Sequence, residues 1–400
     1  IERTKQRKKN CRILYWDKEV RGININGSGF KAAYLALKLR QKYSKIPITL
    51  LSNSFGGIYS TIDVNGFKLD LGCHLFDSTN KEFTETFSIK SKDIIPIELR
   101  YASINNYGFT KNFALYDFRK HPEYEMIKDE FLSLDQKSKI HKSLFDWSLN
   151  RYGKRITGVL DKICFKITGT SCKNIDYRSE GMFLFKRILL FDNDKTLKLK
   201  KKLEIGNYLA AETKFVHDYS KKYIIFTFEK GNFGFLEHIK KVFKQKNILL
   251  SKTPLDNAIN INVNEYQDKL EKISTPLHLV YLKCKDFPYT YIHDYSDSMI
   301  FRISSPGIYS KQFINNESYV CLEIPDPKKI KNKEEIINLA QTYTSNYTKN
   351  DFLHYLYVPS SYPIFKVSNG NISKDILNPF CYSKSEIMEN IKTVIGNLNI

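Results

Sequence analysis

Between Ile23 and Asp77 the chain reads as strand, glycine turn, helix, strand, an order that few folds accept. The β-branched Ile23-Asn24-Ile25-Asn26 runs into Gly27-Ser28-Gly29. A helix comes next, with Ala32, Ala33, Leu35, Ala36 and Leu39 as its apolar face, and then Ile48-Thr49-Leu50-Leu51-Ser52 forms a second strand. This is the βαβ unit that opens a doubly wound parallel sheet. Gly27 lets the chain turn sharply out of the first strand, and Gly29 has no side chain to keep a pyrophosphate off the backbone. Ala32 fills the third small position, where helix and strand approach closely. A diphosphate at this turn would meet unpaired N–H groups and the positive end of the helix dipole, without needing a lysine. The glycine pattern alone is unspecific. Its place between a strand and an amphipathic helix gives it weight.

The second half of the stretch is more specific. Ser60 to Val64 and Phe67 to Leu71 flank Asn65-Gly66, a strong hairpin signal. Gly56-Gly57 precede this hairpin, and Gly72-Cys73-His74-Leu75-Phe76-Asp77 closes the stretch. A Gly-Gly pair, a hairpin and then Gly-x-His-x-Phe resembles the FAD-dependent flavoproteins of the amine oxidase, protoporphyrinogen oxidase and UDP-galactopyranose mutase superfamily, and looks most like the mutase branch.

The resemblance implies an α/β fold: a Rossmann-like FAD-binding domain with a mixed-sheet and helical substrate domain. It implies FAD as the cofactor, with Gly27, Ser28, Gly29, Ala32, Ser52, Asn53, Gly56, Gly57, Thr61, His74 and Gly231 along its binding wall. His74 would lie beside the flavin ring. Arg302 and Arg187 are the expected substrate clamps, each able to hold a diphosphate by charge-assisted hydrogen bonds. Tyr291, Tyr295 and Tyr309 lie near Arg302 in sequence. In a chain with 26 tyrosines such residues more often pack than bind.

The domains expected on this basis are a basic arm over 1–20, a discontinuous FAD-binding domain over 21–80, 226–275 and 385–400, and a substrate or cap domain over 81–225 and 276–384. Residues 81–225 read as a mainly helical insertion with short strands, interrupted by Pro96 and Pro122, with a helical region over Phe131 to Trp147. Tyr152 to Arg155, Phe165 to Gly169 and Phe183 to Arg187 are similar in order to the substrate-cap segment of the family. Phe226-Thr227-Phe228 returns the chain to the first domain, ahead of a helix carrying Phe235, Leu236, Ile239, Val242 and Phe243. Leu277–Leu282, Tyr289–His293, Met299–Ile303 and Tyr319–Ile324 read as neighbouring antiparallel strands. Tyr357 to Phe365 looks like the Ala-Tyr-Pro stretch of the family.

Two departures from the family stand out. The second strand ends in Ser52-Asn53, where dinucleotide enzymes carry a carboxylate for the ribose hydroxyls. A neutral acceptor there is weaker by roughly 1 kcal/mol or more. In relatives a strand and a Gly-Arg pair, expected after the helix Ser385 to Leu398, touch the flavin diphosphate and ribityl chain; this sequence ends at Ile400.

Composition sets wider bounds. Four hundred residues are ample for two domains, and no apolar run is long enough to span a bilayer. The seven cysteines are scattered with no Cys-x-x-Cys, which suits neither a zinc site nor a disulfide framework and points to a reducing cytoplasm. The net charge of +20 comes with lysine spread through the whole chain. That spread reads as biased composition before it reads as a partner-binding patch, and no nucleic-acid motif accompanies it. An anionic small-molecule substrate is compatible with it.

The function expected is therefore an FAD-dependent enzyme acting on a nucleotide sugar or related metabolite in surface polysaccharide biosynthesis, a mutase-like isomerase in which the sugar ring opens and recloses without net oxidation. The alternatives are an oxidoreductase of the protoporphyrinogen or amine oxidase type, passing hydride to the flavin, and a non-catalytic descendant that has lost flavin. The sequence leaves the oligomeric state open.

Overall fold

The computed structural model of the chain describes residues 22–77, 81–113, 116–134, 141–183, 185, 188–202, 206, 208–211, 225–265, 270–327, 332–368 and 377–397. The expected basic arm over 1–20 lies outside these residues, as does Arg187.

The opening strand Gly22–Asn26 sits inside a parallel sheet of four, in the order Ile248–Ser251, Ile48–Leu51, Gly22–Asn26, Ala258–Asn262. Burial explains its composition: Ile23, Asn24 and Ile25 are all withdrawn from water. The buried Asn24 amide is satisfied across the sheet by the Asn260 side chain at 3.0 Å and by the backbone of Leu255. The fourth strand, Ala258–Asn262, has no clear signal in the sequence, because Asn alternating with Ile resembles a surface strand.

The helix Phe30–Lys42 packs one face on this sheet and the other on the last helix, Lys384–Asn397. Met388, Ile391, Val394 and Ile395 of the last helix share one core with Ala33, Leu35 and Ala36. Phe76, Phe83, Phe87, Phe226, Phe228 and Phe235 complete that core with tilted and stacked ring contacts.

The second sheet has seven strands, in the order Asp351–Val358, Leu277–Cys284, Ser318–Pro325, Arg302–Ser304, Tyr291–Asp294, Tyr101–Asn105, Gly108–Lys111. Leu277–Cys284, Ser318–Pro325, Arg302–Ser304 and Tyr291–Asp294 are antiparallel neighbours, and Tyr291–Asp294 also runs parallel to Tyr101–Asn105, so the sheet is mixed as expected. The segment read as a mainly helical insertion with short strands supplies two strands of this sheet, Tyr101–Asn105 and Gly108–Lys111. Short strands with polar termini leave no clear period in the sequence.

Alternation along the central strand divides the core. Leu277, Leu279 and Tyr281 meet Phe67 and Leu69 of the hairpin Thr61–Val64/Phe67–Asp70, whereas Val280 and Leu282 meet Ile336 and Ala340 of the helix Lys333–Ser345. The hairpin is thereby clamped to the second sheet. Tyr281 Oη donates to the Asp70 carbonyl at 2.9 Å, Tyr319 Oη donates to the Lys68 carbonyl at 2.9 Å, and Gln312 bonds both backbone groups of Lys68.

A helical layer caps one end. Where one helical region was expected over Phe131 to Trp147, two helices, Tyr124–Leu132 and Leu144–Thr168, approach, and 135–140 lie outside the described residues. The longer helix starts with a capping box, Ser143 with Asp146, and breaks at Gly153, where the Glu130 carboxylate accepts from the Lys154 amide at 2.6 Å.

Candidate functional site

The turn Gly27-Ser28-Gly29 is partly open to solvent, and Gly29 forms the N-cap of Phe30–Lys42 with no side-chain cap and no acidic residue in the first turn. The N–H groups of Ser28, Gly29 and Phe30 make no hydrogen bond among the described residues. A helix start left this way suits an anion. The wall beside it is Gly56-Gly57: the Gly56 amide donates to the Ser28 carbonyl at 2.6 Å, and a Cβ on Gly57 would lie 2.9 Å from the Gly29 Cα. Gly57 has φ +58°, so both its backbone and its contact exclude a side chain.

Ala32 is fully buried, and a Cβ on Gly27 would come 3.0 Å from the Ala32 Cβ. Its place in the site is therefore packing rather than contact. Asn53 is exposed and Thr61 half-buried, paired with Asp70 across the hairpin. The Ser52 hydroxyl donates to the Ser54 carbonyl at 2.6 Å and accepts from the Ser54 amide at 3.1 Å, which leaves one lone pair for any ribose.

Tyr59 joins this cradle to His74. Its buried ring lies 6.3 Å from Phe30 at the helix start and 5.0 Å from the His74 imidazole. His74 Nε2 faces the Leu71 carbonyl at 3.1 Å, which assigns the proton to Nε2 and leaves Nδ1 as an acceptor. Burial, then the Arg302 and Lys384 charges, push its pKa down to about 3, so the ring is neutral at physiological pH. Lys384 itself donates to the Leu75 carbonyl at 2.8 Å and lies over the Phe76 ring at 4.6 Å. Burial likewise pushes the Cys73 thiol up to about 11, and Tyr309 Oη donates to its sulfur at 3.7 Å.

Arg302 sits on the far side of the same segment. Its Nε donates to Glu323 Oε1 at 2.7 Å, Nη2 bonds the same oxygen, and Tyr362 Oη donates to Glu323 Oε2 at 3.0 Å. Glu323 is almost wholly buried while Arg302 keeps 21% of its side chain exposed. Burial opposes the Arg302 charge, but Glu323 outweighs it and holds the guanidinium protonated. Nη1 makes no hydrogen bond among the described residues.

The expected tyrosines split by surroundings: Tyr309 lies against Cys73, Tyr295 bonds His293, and Tyr291 stacks on Tyr101 at 5.8 Å. Gly231 is buried, and a Cβ there would fall 2.4 Å from Asp70 Oδ2. That carboxylate accepts from the Asn232 amide and so occupies the start of the helix Asn232–Gln245. Sequence reasoning missed Asp70, Tyr59 and Lys384 as members of this region. Asp70 stands two residues before Gly72 and is the one legible signal among them.

Solved structures share this fold. The chain aligns with reduced UDP-galactopyranose mutase at a TM-score of 0.60 and 12% identity, covering 93% of this chain and 87% of that one. The chain shares its fold with that mutase. A fatty acid isomerase from P. acnes follows the same path at a TM-score of 0.54 and 10% identity, over 96% and 92% of the two chains. A putrescine oxidase variant, redesigned in cofactor binding, does so at 0.52 and 9%, over 87% and 88%. The sequence itself matches no family profile and no curated protein.

The residues present fit a dinucleotide. An uncapped helix start, two glycine backbones in contact and a neutral imidazole one ring away form a continuous wall. Among the described residues no group of His, Cys, Asp or Glu is placed to hold a metal ion, and no helix is long and apolar enough to cross a membrane.

Proposed function

We propose that the chain is an FAD-dependent enzyme acting on a nucleotide sugar by mutase-type isomerisation. The observation that carries the cofactor assignment is the uncapped start of Phe30–Lys42, walled by Gly57 and joined through Tyr59 to His74. When bound, the flavin supplies the electron-rich centre at which the anomeric carbon reacts.

The chain's own residues do the rest. Gly27, Ser28 and Gly29 would hold the diphosphate by backbone amides. His74, kept neutral and held in one tautomer by the Leu71 carbonyl, offers Nδ1 as an acceptor rather than a proton donor. Cys73 stays a thiol at neutral pH and adds no competing nucleophile. Arg302, oriented by Glu323, would present Nη1 to the substrate diphosphate. The likeness to UDP-galactopyranose mutase supports an anionic nucleotide substrate, with which the net charge of +20 is compatible.

The test is turnover of a UDP-sugar by the FAD-loaded protein with and without chemical reduction. Isomerisation only after reduction supports the mutase reading. Turnover that requires oxygen or another acceptor replaces it with the oxidase one, and a protein that stays colourless with FAD is a non-catalytic descendant.

A further inference from the structure

We propose that Tyr355, His278 and Asp326 form a second reactive site, in which the Tyr355 phenol is a nucleophile that takes the acyl group of an activated ester. This goes beyond the proposed flavin chemistry and uses none of its residues.

Three strands of the second sheet bring the groups together. His278 is the second residue of Leu277–Cys284, Tyr355 lies on the edge strand Asp351–Val358, and Asp326 directly follows Ser318–Pro325. His278 stands opposite Tyr357, and Val280 opposite Tyr355. All four therefore share one face of the sheet, the face on which Val280 meets the helix Lys333–Ser345.

His278 Nε2 lies 3.2 Å from Asp326 Oδ2, and its Nδ1 lies 2.8 Å from Tyr355 Oη. A carboxylate only accepts, which assigns the imidazole proton to Nε2 and leaves Nδ1 to accept from the phenol. His278 and Asp326 are buried, whereas Tyr355 is half-buried at the sheet edge. A nucleophile within reach of solvent, a base bonded to it and a buried group that orients the base together make the arrangement that nucleophilic catalysis uses.

Burial raises the Tyr355 phenol above its ordinary range, so the phenol stays protonated at neutral pH and needs the base. Burial also lowers the His278 imidazole, against the pull of Asp326, and so keeps Nδ1 unprotonated and able to accept. The Lys333 ammonium lies 5.3 Å from the centre of the Tyr355 ring, a positive charge that favours the negative charge developing on an ester carbonyl oxygen there.

In the step, Tyr355 Oη bonds the acyl carbon and its proton passes to His278 Nδ1. Asp326 stabilises the imidazolium. The ester C–O bond breaks, the leaving oxygen departs with the electron pair, and the imidazolium then gives its proton to solvent.

The experiment treats the full chain with p-nitrophenyl acetate, follows p-nitrophenolate by absorbance and locates acetyl groups by peptide mass spectrometry. Tyr357 is an internal control. It sits on the same strand and face, is 40% exposed, and has its ring 5.2 Å from the His278 ring, but makes no hydrogen bond to His278. Tyr355 is expected to be acetylated about tenfold or more faster than Tyr357, although it is the less exposed of the two. Tyr355→Phe removes that label and the p-nitrophenolate released with it. Asp326→Asn, with the tyrosine still in place, slows acetylation of Tyr355 by about tenfold or more.

Acetylation of Tyr355 no faster than that of Tyr357 in wild type would overturn the proposal, and this comparison stands even where Asp326→Asn fails to fold. Wild-type acetylation of Tyr355 in a folded Asp326→Asn would overturn it as well.

Discussion

Gly57 and Gly29, far apart in sequence, meet backbone to backbone, and a Cβ on Gly57 would lie 2.9 Å from the Gly29 Cα. The contact fixes the Gly56-Gly57 wall against the Gly27–Gly29 turn, the two sides of the proposed cofactor cradle. With a backbone atom as the obstacle and φ +58° at Gly57, an alanine has no easy escape. Gly57→Ala is expected to cost about 1–2 kcal/mol of stability, as Gly57 is exposed, yet to weaken FAD binding by more than about tenfold. Chemical denaturation and fluorescence titration on the same sample separate the two effects.

Gly231 and Asp70 form a second close pair, whose meaning is structural. Gly231→Ala places a methyl 2.4 Å from Asp70 Oδ2 at a residue with φ +63°. We expect a loss of about 2 kcal/mol or more in urea unfolding. In an Asp70→Ala background the same change should cost about 1 kcal/mol less, since the two sites share one contact. Equal cost in both backgrounds would mean that the carboxylate is not the obstacle.

Arg302 and Glu323 are tested by a double-mutant cycle. Arg302→Met leaves the buried Glu323 carboxylate without its cation and should cost about 3–5 kcal/mol, whereas Arg302→Met with Glu323→Met should recover most of that loss. If Arg302 also holds substrate, Arg302→Lys raises KM for the nucleotide substrate even where folding is retained. An unchanged KM would confine Arg302 to the ion pair.

His74 gives a pH prediction with a definite sign. Its pKa falls from 6.5 unfolded to about 3 folded, so the unfolded chain binds the extra proton between those values. Its contribution is fully present above pH 6.5 and is lost as pH drops towards 3. Relative to His74→Gln, wild type should lose about 1–2 kcal/mol between pH 7 and pH 5 in denaturant titrations. Parallel pH profiles of the two proteins would show that the ring is not held neutral.

The first two strands of the four-stranded parallel sheet, the helix between them and the following hairpin are legible because their signals are local. Glycines at Gly27, Gly29, Gly56 and Gly57, the Asn65-Gly66 turn and the β-branched strands each dictate backbone shape within a few residues. Asp70 and Tyr59 escape notice because each packs on or bonds a partner far along the chain, Asn232 for Asp70 and Phe235 for Tyr59. Gly231 is visible in sequence, but its reason is not: it yields to Asp70, as the 2.4 Å approach shows. Lys384 is hidden by composition, since in a lysine-rich chain only its bond to the Leu75 carbonyl and its place over the Phe76 ring set it apart. Tyr101–Asn105 joins the second sheet through a parallel pairing that short polar-ended strands do not announce.

Equilibrium titration of the purified chain with FAD bears most directly on the central claim. A dissociation constant of about 10 μM or tighter, with flavin fluorescence changed on binding and the change abolished by Gly57→Val, is the predicted result. Free-flavin fluorescence at protein concentrations approaching about 1 mM would contradict it.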